Sequence, residues 1–363
     1  MSFGPICTCM WRFTEFLPGV ERLACVMFGK LRKSTGHPYS QPRYLLYLQN
    51  CFNASDSMSV DIKLPKGQKE NFVNGIYRYA DDANYSESFG FQWNKFQRTQ
   101  IDQFEKGLVQ SRLRLFAETA WKPSELANLN ILEVGSGAGR FTRALLESTE
   151  SNVYSVDYST AVDANLANNS RFGSRLKIFQ ASIYDLPFAP EQFDKVICIG
   201  VLQHTPDFKK SVACLAAMLK KNGELVIDFY PVTGWWTKIH AKYILRPITR
   251  RMPHARLLAI IEANAGWLIK TYFFFERIGL GRILNRFLPI CDIKNTLPEG
   301  LSSEELKEWV VLDTFDMFSP RYDQPQKPEV VRKWAEESGL EASFCGYVPL
   351  EKGSAAVVRA IKK

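Results

Sequence analysis

From the 363-residue sequence we expect neither a secretory signal peptide nor a membrane-spanning segment. Residues 1–30 contain no basic stretch followed by a clean apolar run, which is the pattern of a secretory signal peptide. No uncharged apolar run reaches the ~20 residues that a membrane span needs. Residues 271–290 come closest, but charged side chains interrupt them: Glu276, Arg277, Arg282 and Arg286. We therefore expect a cytoplasmic protein whose only contact with a membrane would be peripheral.

The sequence also lacks Cys-x-x-Cys pairs. Its eight cysteines are dispersed, at Cys7, Cys9, Cys25, Cys51, Cys198, Cys214, Cys291 and Cys345. This is not the dense spacing of a disulfide framework, and a reducing compartment is the natural interpretation. The first four cysteines contain no Cys-x-x-Cys pair, so we predict no metal site.

Charge and composition set wide bounds on function. Lysine and arginine number 46 and aspartate and glutamate 38, which leaves a formal net charge of +8. Such an excess permits an anionic partner, such as a nucleic acid, a phosphorylated substrate or a lipid surface. A solvated basic face explains it as well. Hydrophobic residues make up 46% of the chain, as in ordinary globular proteins.

The sequence shows no internal repeats or low-complexity tracts, and changes in composition and residue pattern along it predict four regions. Residues 1–75 form an irregular N-terminal extension. Residues 76–232 alternate strand and helix patterns, residues 233–312 are helical, aromatic and basic, and residues 313–363 return to strand and helix patterns. We predict a core formed by the second and fourth regions, with the third inserted between them.

Alternating patterns in the second region predict βαβ units and a parallel sheet. Strands are expected at residues 130–134, 152–156, 176–180, 193–199 and 223–229, with helices at 141–147, 160–168 and 211–219. A helix at 329–338 and strands at 342–348 and 355–360 would complete the sheet. The prediction is an α/β, doubly wound, seven-stranded, mostly parallel sheet with ligands at the carboxyl ends of its strands.

A glycine-rich loop follows the first core strand, with glycines at Gly135, Gly137 and Gly139. Glycine permits positive φ and lets a ligand approach the backbone at a helix N-terminus. Asp157 ends the next strand, where an acidic side chain can accept hydrogen bonds from ribose hydroxyls. The alternatives are a plain glycine turn and a helix N-cap at Asp157.

The spacing of these glycines distinguishes two ligands. Dinucleotide sites use G-x-G-x-x-G, whose last glycine allows close approach to a pyrophosphate. Here the spacing is G-x-G-x-G, and Arg140 occupies the position of that last glycine. The loop therefore favours S-adenosylmethionine, which has no phosphates, over NAD.

Five segments resemble successive motifs of class I S-adenosylmethionine-dependent methyltransferases. They are residues 131–139, 153–157, 179–188, 193–207 and 219–225. The resemblance implies cofactor contacts from Glu133, Gly135, Ser136, Gly137, Gly139, Asp157, Tyr158, Ser182, Ile183, Ile199 and Gly200. Many members have an aspartate where Ser182 stands. Ser182 is expected to bond the adenine edge and Ile183 to pack on the ring.

Two flanking segments narrow the resemblance. Residues 89–96, FGFQWNKF, and residues 312–323, LDTFDMFSPRYD, are similar to the lead-in and C-terminal signature of a bacterial subgroup. Some of its members resemble enzymes of surface-glycan and secondary-metabolite pathways. Gln92 and Trp93 would lie on a helix that covers the cofactor, although aromatic residues there also suit a core.

Fewer sequence features indicate which residues would bind the methyl acceptor. His204 follows the fourth core strand and has an ordinary pKa near neutrality, so it could take a proton from an acceptor hydroxyl; alternatively it orients the loop. The resemblance implies that residues 233–312 form a lid over the acceptor. His240 within this lid, and Tyr322 and Asp323 after it, are candidate substrate contacts.

We therefore expect O-methylation of a small-molecule, sugar or glycolipid acceptor. A nucleic-acid methyltransferase is the first alternative, encouraged by the charge. Many amino-methylating enzymes of nucleic acids carry an Asn- or Asp-Pro-Pro-aromatic tetrad after the fourth strand, and residues 199–202 here are IGVL. A non-catalytic binding protein on the same fold is the second alternative.

Overall fold

The computed structural model describes residue 60 and residues 71–103, 109–232 and 234–363. Most of the predicted N-terminal extension lies outside the described residues. So do four of its cysteines: Cys7, Cys9, Cys25 and Cys51.

A single mixed sheet organises the described chain. Its strands are β1 (Phe72–Val73), β2 (Ile76–Arg78), β3 (Asn130–Val134), β4 (Asn152–Asp157), β5 (Leu176–Gln180), β6 (Phe193–Cys198), β7 (Leu219–Phe229), β8 (Leu340–Pro349) and β9 (Ser354–Lys362). Their spatial order is β1-β2-β5-β4-β3-β6-β7-β9-β8. Strands β2 to β7 pair in parallel, and β9 and β8 close the edge in antiparallel pairing.

Helices cover both faces of the sheet and form the insertion. They are α1 (Glu87–Lys95), α2 (Gln110–Thr119), α3 (Arg140–Ser148), α4 (Val162–Asn169), α5 (Phe208–Met218), α6 (Ala241–Thr249), α7 (His254–Arg277), α8 (Gly281–Leu284), α9 (Ile293–Thr296), α10 (Ser303–Phe318) and α11 (Pro328–Glu337). Alternate strand residues face opposite sides, so Leu132 packs in one core layer and Ile131 in the other. This is the predicted doubly wound arrangement.

The sheet has nine described strands where the sequence predicted seven. The two additional strands, β1 and β2, form a hairpin that turns at Asn74 and Gly75, both at positive φ. Tyr77 of β2 lies beside Phe179 of β5, and the two rings stack at 4.8 Å. Strands of two and three residues are too short for an alternating pattern to reveal. Among the described residues the sheet therefore begins at Phe72, and the predicted boundary at residue 75 falls inside this hairpin.

The predicted boundary at residue 312 also needs correction, because α10 continues through it to Phe318. Ser302 and Glu305 form a capping box at the start of this helix. Buried apolar side chains follow along most of its length, up to Phe315 and Phe318. The helix ends before Pro320, a residue that cannot extend it. Residues 313–318 thus belong to the helical insertion.

The insertion has its own apolar cores. Leu257, Leu258 and Ile261 of α7 pack with Leu312 and Phe315 of α10, and Phe96 after α1 joins the same cluster. Helix α7 is long and apolar enough to cross a membrane by length and composition alone, with 33% of its most apolar window buried inside the protein. Its burial against α10 fixes one face of this helix.

The glycine loop is held against the neighbouring strand. The N–H groups of Gly135 and Ser136 both donate to the carbonyl of Val156, over 2.7 and 3.1 Å. Gly139 has φ +81°, and a Cβ there would lie 2.2 Å from Oδ1 of Asn165. Asn165 cannot move freely, because its Nδ2 donates to the hydroxyl of Ser155 over 2.7 Å.

We expect Gly139→Ala to lower the free energy of unfolding by about 3 kcal/mol, from left-handed backbone strain and overpacking together. Gly339→Ala is the matched control, since Gly339 has φ +82° with no atom within 4 Å of its Cβ position. That variant should lose about 1 kcal/mol, from the backbone alone. Urea denaturation measures both, and equal losses would show that the packing around Gly139 is unimportant.

Candidate active site

A cavity of about 1110 Å³ lies at the carboxyl ends of the central strands. One side is formed by the glycine loop and the ends of the strands, and α1 contributes Gln92 and Trp93. The other side is formed by the insertion. Predicted site residues on its wall are Gly135, Ser136, Gly137, Asp157, Tyr158, Ile183, Ile199, Gly200, His204 and His240. The fold thus brings most of the predicted cofactor residues to one cavity.

Asp157 connects the glycine loop to the end of β4. Its Oδ2 accepts from the N–H of Gly137 over 2.8 Å, and its Oδ1 accepts from the N–H and hydroxyl of Ser159 over 2.8 and 2.7 Å. Burial raises the pKa of this carboxyl, and these hydrogen bonds act in the opposite direction. Oδ1 thus uses both of its lone-pair sites, whereas Oδ2 has one left to accept from a ligand. Asp157 therefore holds the loop and still offers an acceptor to the cavity.

The cavity wall fits a ribonucleoside ligand with a polar tail. Gly200 lines it at φ +75°, and a Cβ there would meet nothing within 4 Å, so there is open space over this backbone. Gln92 is 1% exposed, and its Oε1 has no hydrogen-bond partner among the described residues. A buried acceptor of this kind is normally satisfied, and a ligand amine or hydroxyl in the cavity would satisfy it. Trp93 covers the loop, near the Cβ position of Gly137.

Three predicted cofactor residues do not reach the cavity. The carboxylate of Glu133 is buried beneath the loop, where it accepts from the hydroxyl of Thr142, and burial raises its pKa to about 8. Gly139 packs against α4 instead. Ser182 faces a turn, and its hydroxyl accepts from the N–H of Tyr184 over 3.2 Å. Ser182 is therefore not among the residues that line the cavity, whereas Ile183 beside it is, and the contact of Ser182 with adenine stays a prediction.

His204 is buried, lines the cavity and has one nitrogen held by the protein. Its Nδ1 lies 3.0 Å from the carbonyl oxygen of Tyr322. A carbonyl can only accept, so Nδ1 carries the proton and Nε2 has a free lone pair. Nε2 has no hydrogen-bond partner among the described residues. Burial lowers the pKa of this imidazole below its ordinary value. The side chain is thus a neutral base facing a cavity.

Tyr322 and Asp323 do not line the cavity, contrary to their prediction as substrate contacts. Tyr322 acts through its carbonyl on His204. Asp323 is almost fully buried and pairs with Nζ of Lys242 at 2.8 Å and with Nε of Arg246 at 3.8 Å. Both residues position other side chains, because their loop packs behind the cavity wall. Only the fold brings this loop to Lys242, more than 80 residues earlier in the chain.

His240 lies on the insertion side of the cavity, as predicted for a substrate contact. It precedes α6, and its Nδ1 accepts from the N–H of Lys242 over 3.1 Å. Burial and the nearby Arg286 lower its pKa to about 4. The ring is therefore neutral at physiological pH, with its Nε2–H as a donor.

Sequence reasoning missed a buried charge cluster on the same wall. Arg114 pairs with Asp228 at 2.5 Å and with Glu118 at 2.7 Å. Asp228 also accepts from the N–H of Gly200, so this cluster fixes the loop after β6. Burial raises the pKa of Glu118 to about 7. The position of Asp228 near the end of the fifth core strand was the available signal.

No group of three His, Cys, Asp or Glu side chains that could hold a metal ion occurs in the part of the chain that the structure describes. The described cysteines are all free thiols, and burial raises the pKa of Cys198 and of Cys291. Thiolate chemistry at this wall is therefore disfavoured.

Comparison with known proteins adds a decisive observation to this geometry. Residues 132–227, which span the glycine loop, Asp157 and His204, match the sequence model of a methyltransferase domain. This segment is a methyltransferase domain, and the motifs within it are those that resemble the class I S-adenosylmethionine-dependent enzymes. Its cofactor is S-adenosylmethionine.

The relatives align with only part of this chain. It is 27% identical over 243 residues to an uncharacterised protein of Synechococcus sp., across 64% of this chain and 51% of that protein. It is 25% identical over 171 residues to a tRNA U34 carboxymethyltransferase of Nautilia profundicola, across 44% of this chain and 55% of that protein. The chain thus spans about half the length of each. A magnesium protoporphyrin IX methyltransferase of Synechocystis, crystallised with S-adenosylhomocysteine, aligns at 15% identity with a TM-score of 0.43, over 77% of this chain and 96% of that one.

We expect Asp157→Asn to weaken binding of S-adenosylmethionine on the order of a hundredfold, because charged hydrogen bonds are worth ~1.5–3 kcal/mol each. Titration calorimetry measures this. Asp163→Asn is the control, since Asp163 pairs with Arg78 outside the cavity. Equal affinity of the wild type and Asp157→Asn would remove Asp157 from the binding site.

Proposed function

We propose that this methyltransferase methylates a hydroxyl group of a small-molecule, sugar or glycolipid acceptor, with His204 as the general base. The observation that carries this proposal is the buried, unpaired Nε2 of His204 on the cavity wall. Because the carbonyl of Tyr322 occupies Nδ1, the basic nitrogen is the one available to an acceptor.

The surroundings of His204 keep it neutral before reaction and stabilise it afterwards. Burial is the largest effect on its pKa and lowers it; the carboxylates of Asp316 and Asp323 act in the opposite direction. The same two carboxylates would stabilise the imidazolium once it has formed. His204 thus combines a base form at neutral pH with nearby negative charge for the protonated form.

S-adenosylmethionine, when bound, would supply a methyl group carried by a positively charged sulfur, and the sulfur would leave as a neutral thioether. Nε2 of His204 would take the proton of the acceptor hydroxyl as its oxygen bonds to the methyl carbon. Nδ1–H would continue to donate to Tyr322, so that the ring keeps its orientation during the transfer. The glycine loop and α1 would hold donor and acceptor close together in the same cavity, which would lower the entropic part of the barrier.

The part of the cavity around His204 and the insertion suits an acceptor with both apolar and polar faces. The rings of Phe89 and Tyr230 flank His204 at 5.1 and 5.6 Å. His240 and Tyr243 add polar groups. A cavity of about 1110 Å³ slightly exceeds the ~300–1,000 Å³ typical of a pocket for one small ligand, which supports occupation by both cofactor and acceptor.

Replacing His204 tests the base directly. We expect His204→Asn to lower kcat about 10²–10⁴-fold while S-adenosylmethionine still binds, since general-base catalysis contributes that much. The wild-type rate should fall as pH drops through the pKa of His204, which burial lowers below its ordinary value, and this acid limb should vanish in the variant. His254→Asn is the matched control, because His254 does not line the cavity. An unchanged rate in His204→Asn would reduce His204 to a residue that orients the loop.

The acceptor class can be found by following a labelled methyl group. S-adenosylmethionine with an isotope-labelled methyl group is incubated with sugars, phenols, a bacterial glycolipid extract and total tRNA in parallel. We expect label in an alkali-stable ether on the sugar, phenol or glycolipid. Label in no acceptor, with intact cofactor binding, would favour the non-catalytic alternative.

The relative that acts on tRNA supports a second candidate, an RNA-modifying enzyme. The basic charge of the insertion agrees with it. Its distinguishing result is label in tRNA, together with tRNA binding that weakens steeply with salt.

A further inference from the structure

Exposed apolar side chains concentrate on the insertion. Of the fifteen large hydrophobic residues that are exposed among the described residues, ten lie between residues 244 and 287: Ile244, Ile248, Ile260, Trp267, Phe273, Phe274, Ile278, Leu280, Ile283 and Phe287. We call residues 238–287 the insertion surface. Exposed apolar side chains concentrated in one segment in this way point to an interaction site.

On α7 three of these side chains lie on one face of the helix. Ile260, Trp267 and Phe274 follow each other at intervals of seven residues, which places them on one helical face. The buried face of the same helix, including Leu257, Ile261 and Leu268, packs against the rest of the insertion. The helix is therefore apolar on two separate faces, and only one of them has a described partner.

Helix α6 repeats this arrangement beside the cavity. Its Lys242 and Tyr243 line the cavity, while Ile244 and Ile248 are 60% and 68% exposed. Residues four apart lie on the same face of a helix. One short helix thus separates the cavity from the exposed apolar surface.

The positive charge of the chain is concentrated in the same place. Residues 238–287 contain ten lysines and arginines and two acidic residues, a net charge of +8. The whole chain has the same net charge, so the remaining residues are neutral in sum. Seven of the ten cations are exposed: Lys238, Arg250, Arg251, Arg256, Lys270, Arg277 and Arg282. The insertion surface is both apolar and strongly cationic.

We propose that the insertion surface docks on an anionic phospholipid membrane. Apolar and aromatic side chains would enter the headgroup region, and the cations would be attracted to lipid phosphates. A second copy of the chain would bring a surface of the same charge, which repels it. A nucleic acid would be attracted by the cations but would leave exposed isoleucines such as Ile248 in water. The lipid surface is the partner that matches both properties.

Docking in this way would bring the cavity wall next to the lipid. Because α6 lines the cavity and carries part of the insertion surface, a membrane-anchored acceptor could reach His204 without leaving the bilayer. This consequence rests on the proposed function, whereas the docking itself does not.

Vesicle flotation tests the docking without cofactor or acceptor. The full chain is mixed with vesicles of phosphatidylcholine alone, or of phosphatidylcholine with phosphatidylglycerol. We expect it to float with the anionic vesicles and to bind neutral ones much more weakly, with added salt reducing the difference. A wild-type protein that fails to float with the anionic vesicles would overturn the proposal.

Two variants remove the two properties separately. Arg250→Ser/Arg251→Ser/Arg256→Ser should bind anionic vesicles on the order of a hundredfold more weakly, about fivefold for each cation. Trp267→Ser/Phe274→Ser should lose about tenfold or more through lost apolar burial. Matched controls lie outside the insertion surface: Lys122→Ser/Lys333→Ser/Lys363→Ser for charge and Tyr347→Ser/Ile361→Ser for apolar exposure.

Binding of S-adenosylmethionine by each variant shows that it remains folded. Insertion variants that float as well as their controls would contradict the proposal. So would a wild-type dimer in analytical ultracentrifugation that Trp267→Ser/Phe274→Ser dissociates, since a second copy would then cover the surface. If the protein binds vesicles but transfers no methyl group to any acceptor, the docking proposal stands. That result would count only against the proposed function.

Discussion

The buried carboxylate of Asp157 is the point on which the donor site depends. It bonds the backbone of Gly137 with one oxygen and Ser159 with the other, so the glycine loop and the end of β4 are fixed relative to each other. Behind the loop, Asn165 and Asn169 leave no room for a side chain at Gly139. The loop is therefore rigid on its protein side and open on the side of the cavity, as a site for a phosphate-free nucleoside ligand requires.

The residues that follow α10 connect the insertion to the carboxyl edge of the sheet. Tyr322 fixes the tautomer of His204 through its carbonyl, and the next residue, Asp323, pairs with Lys242 of α6. Movement of α6 would therefore reach His204 through two adjacent residues. In our proposals, the same helix faces the acceptor on one side and a lipid surface on the other. The insertion would then serve to bring an acceptor from the membrane to the methyl group.

Much of the core could be predicted because its signals are local. Buried parallel strands give short apolar runs, and a nucleoside-binding loop needs glycines at positions with positive φ, so β3 to β7 and Gly135, Gly137 and Asp157 were recognisable. The hairpin of β1 and β2 was missed because strands of two and three residues have no measurable period. The predicted end of the insertion at residue 312 was too early. Helix α10 has no helix-ending residue there and continues until shortly before Pro320.

The sequence by itself determined the alternation of strands and helices, the methyl-donor loop and its acidic partner, since each depends on residues close together in the chain. The tertiary structure decided the rest of the site. The hydroxyl of Ser182 bonds within a local turn, and the carboxylate of Glu133 is buried beneath the loop. Tyr322 and Asp323 lie behind the cavity wall, where they are partners of His204 and Lys242. Those roles depend on which side chains from distant segments meet at the carboxyl edge of the sheet, and packing alone settles that.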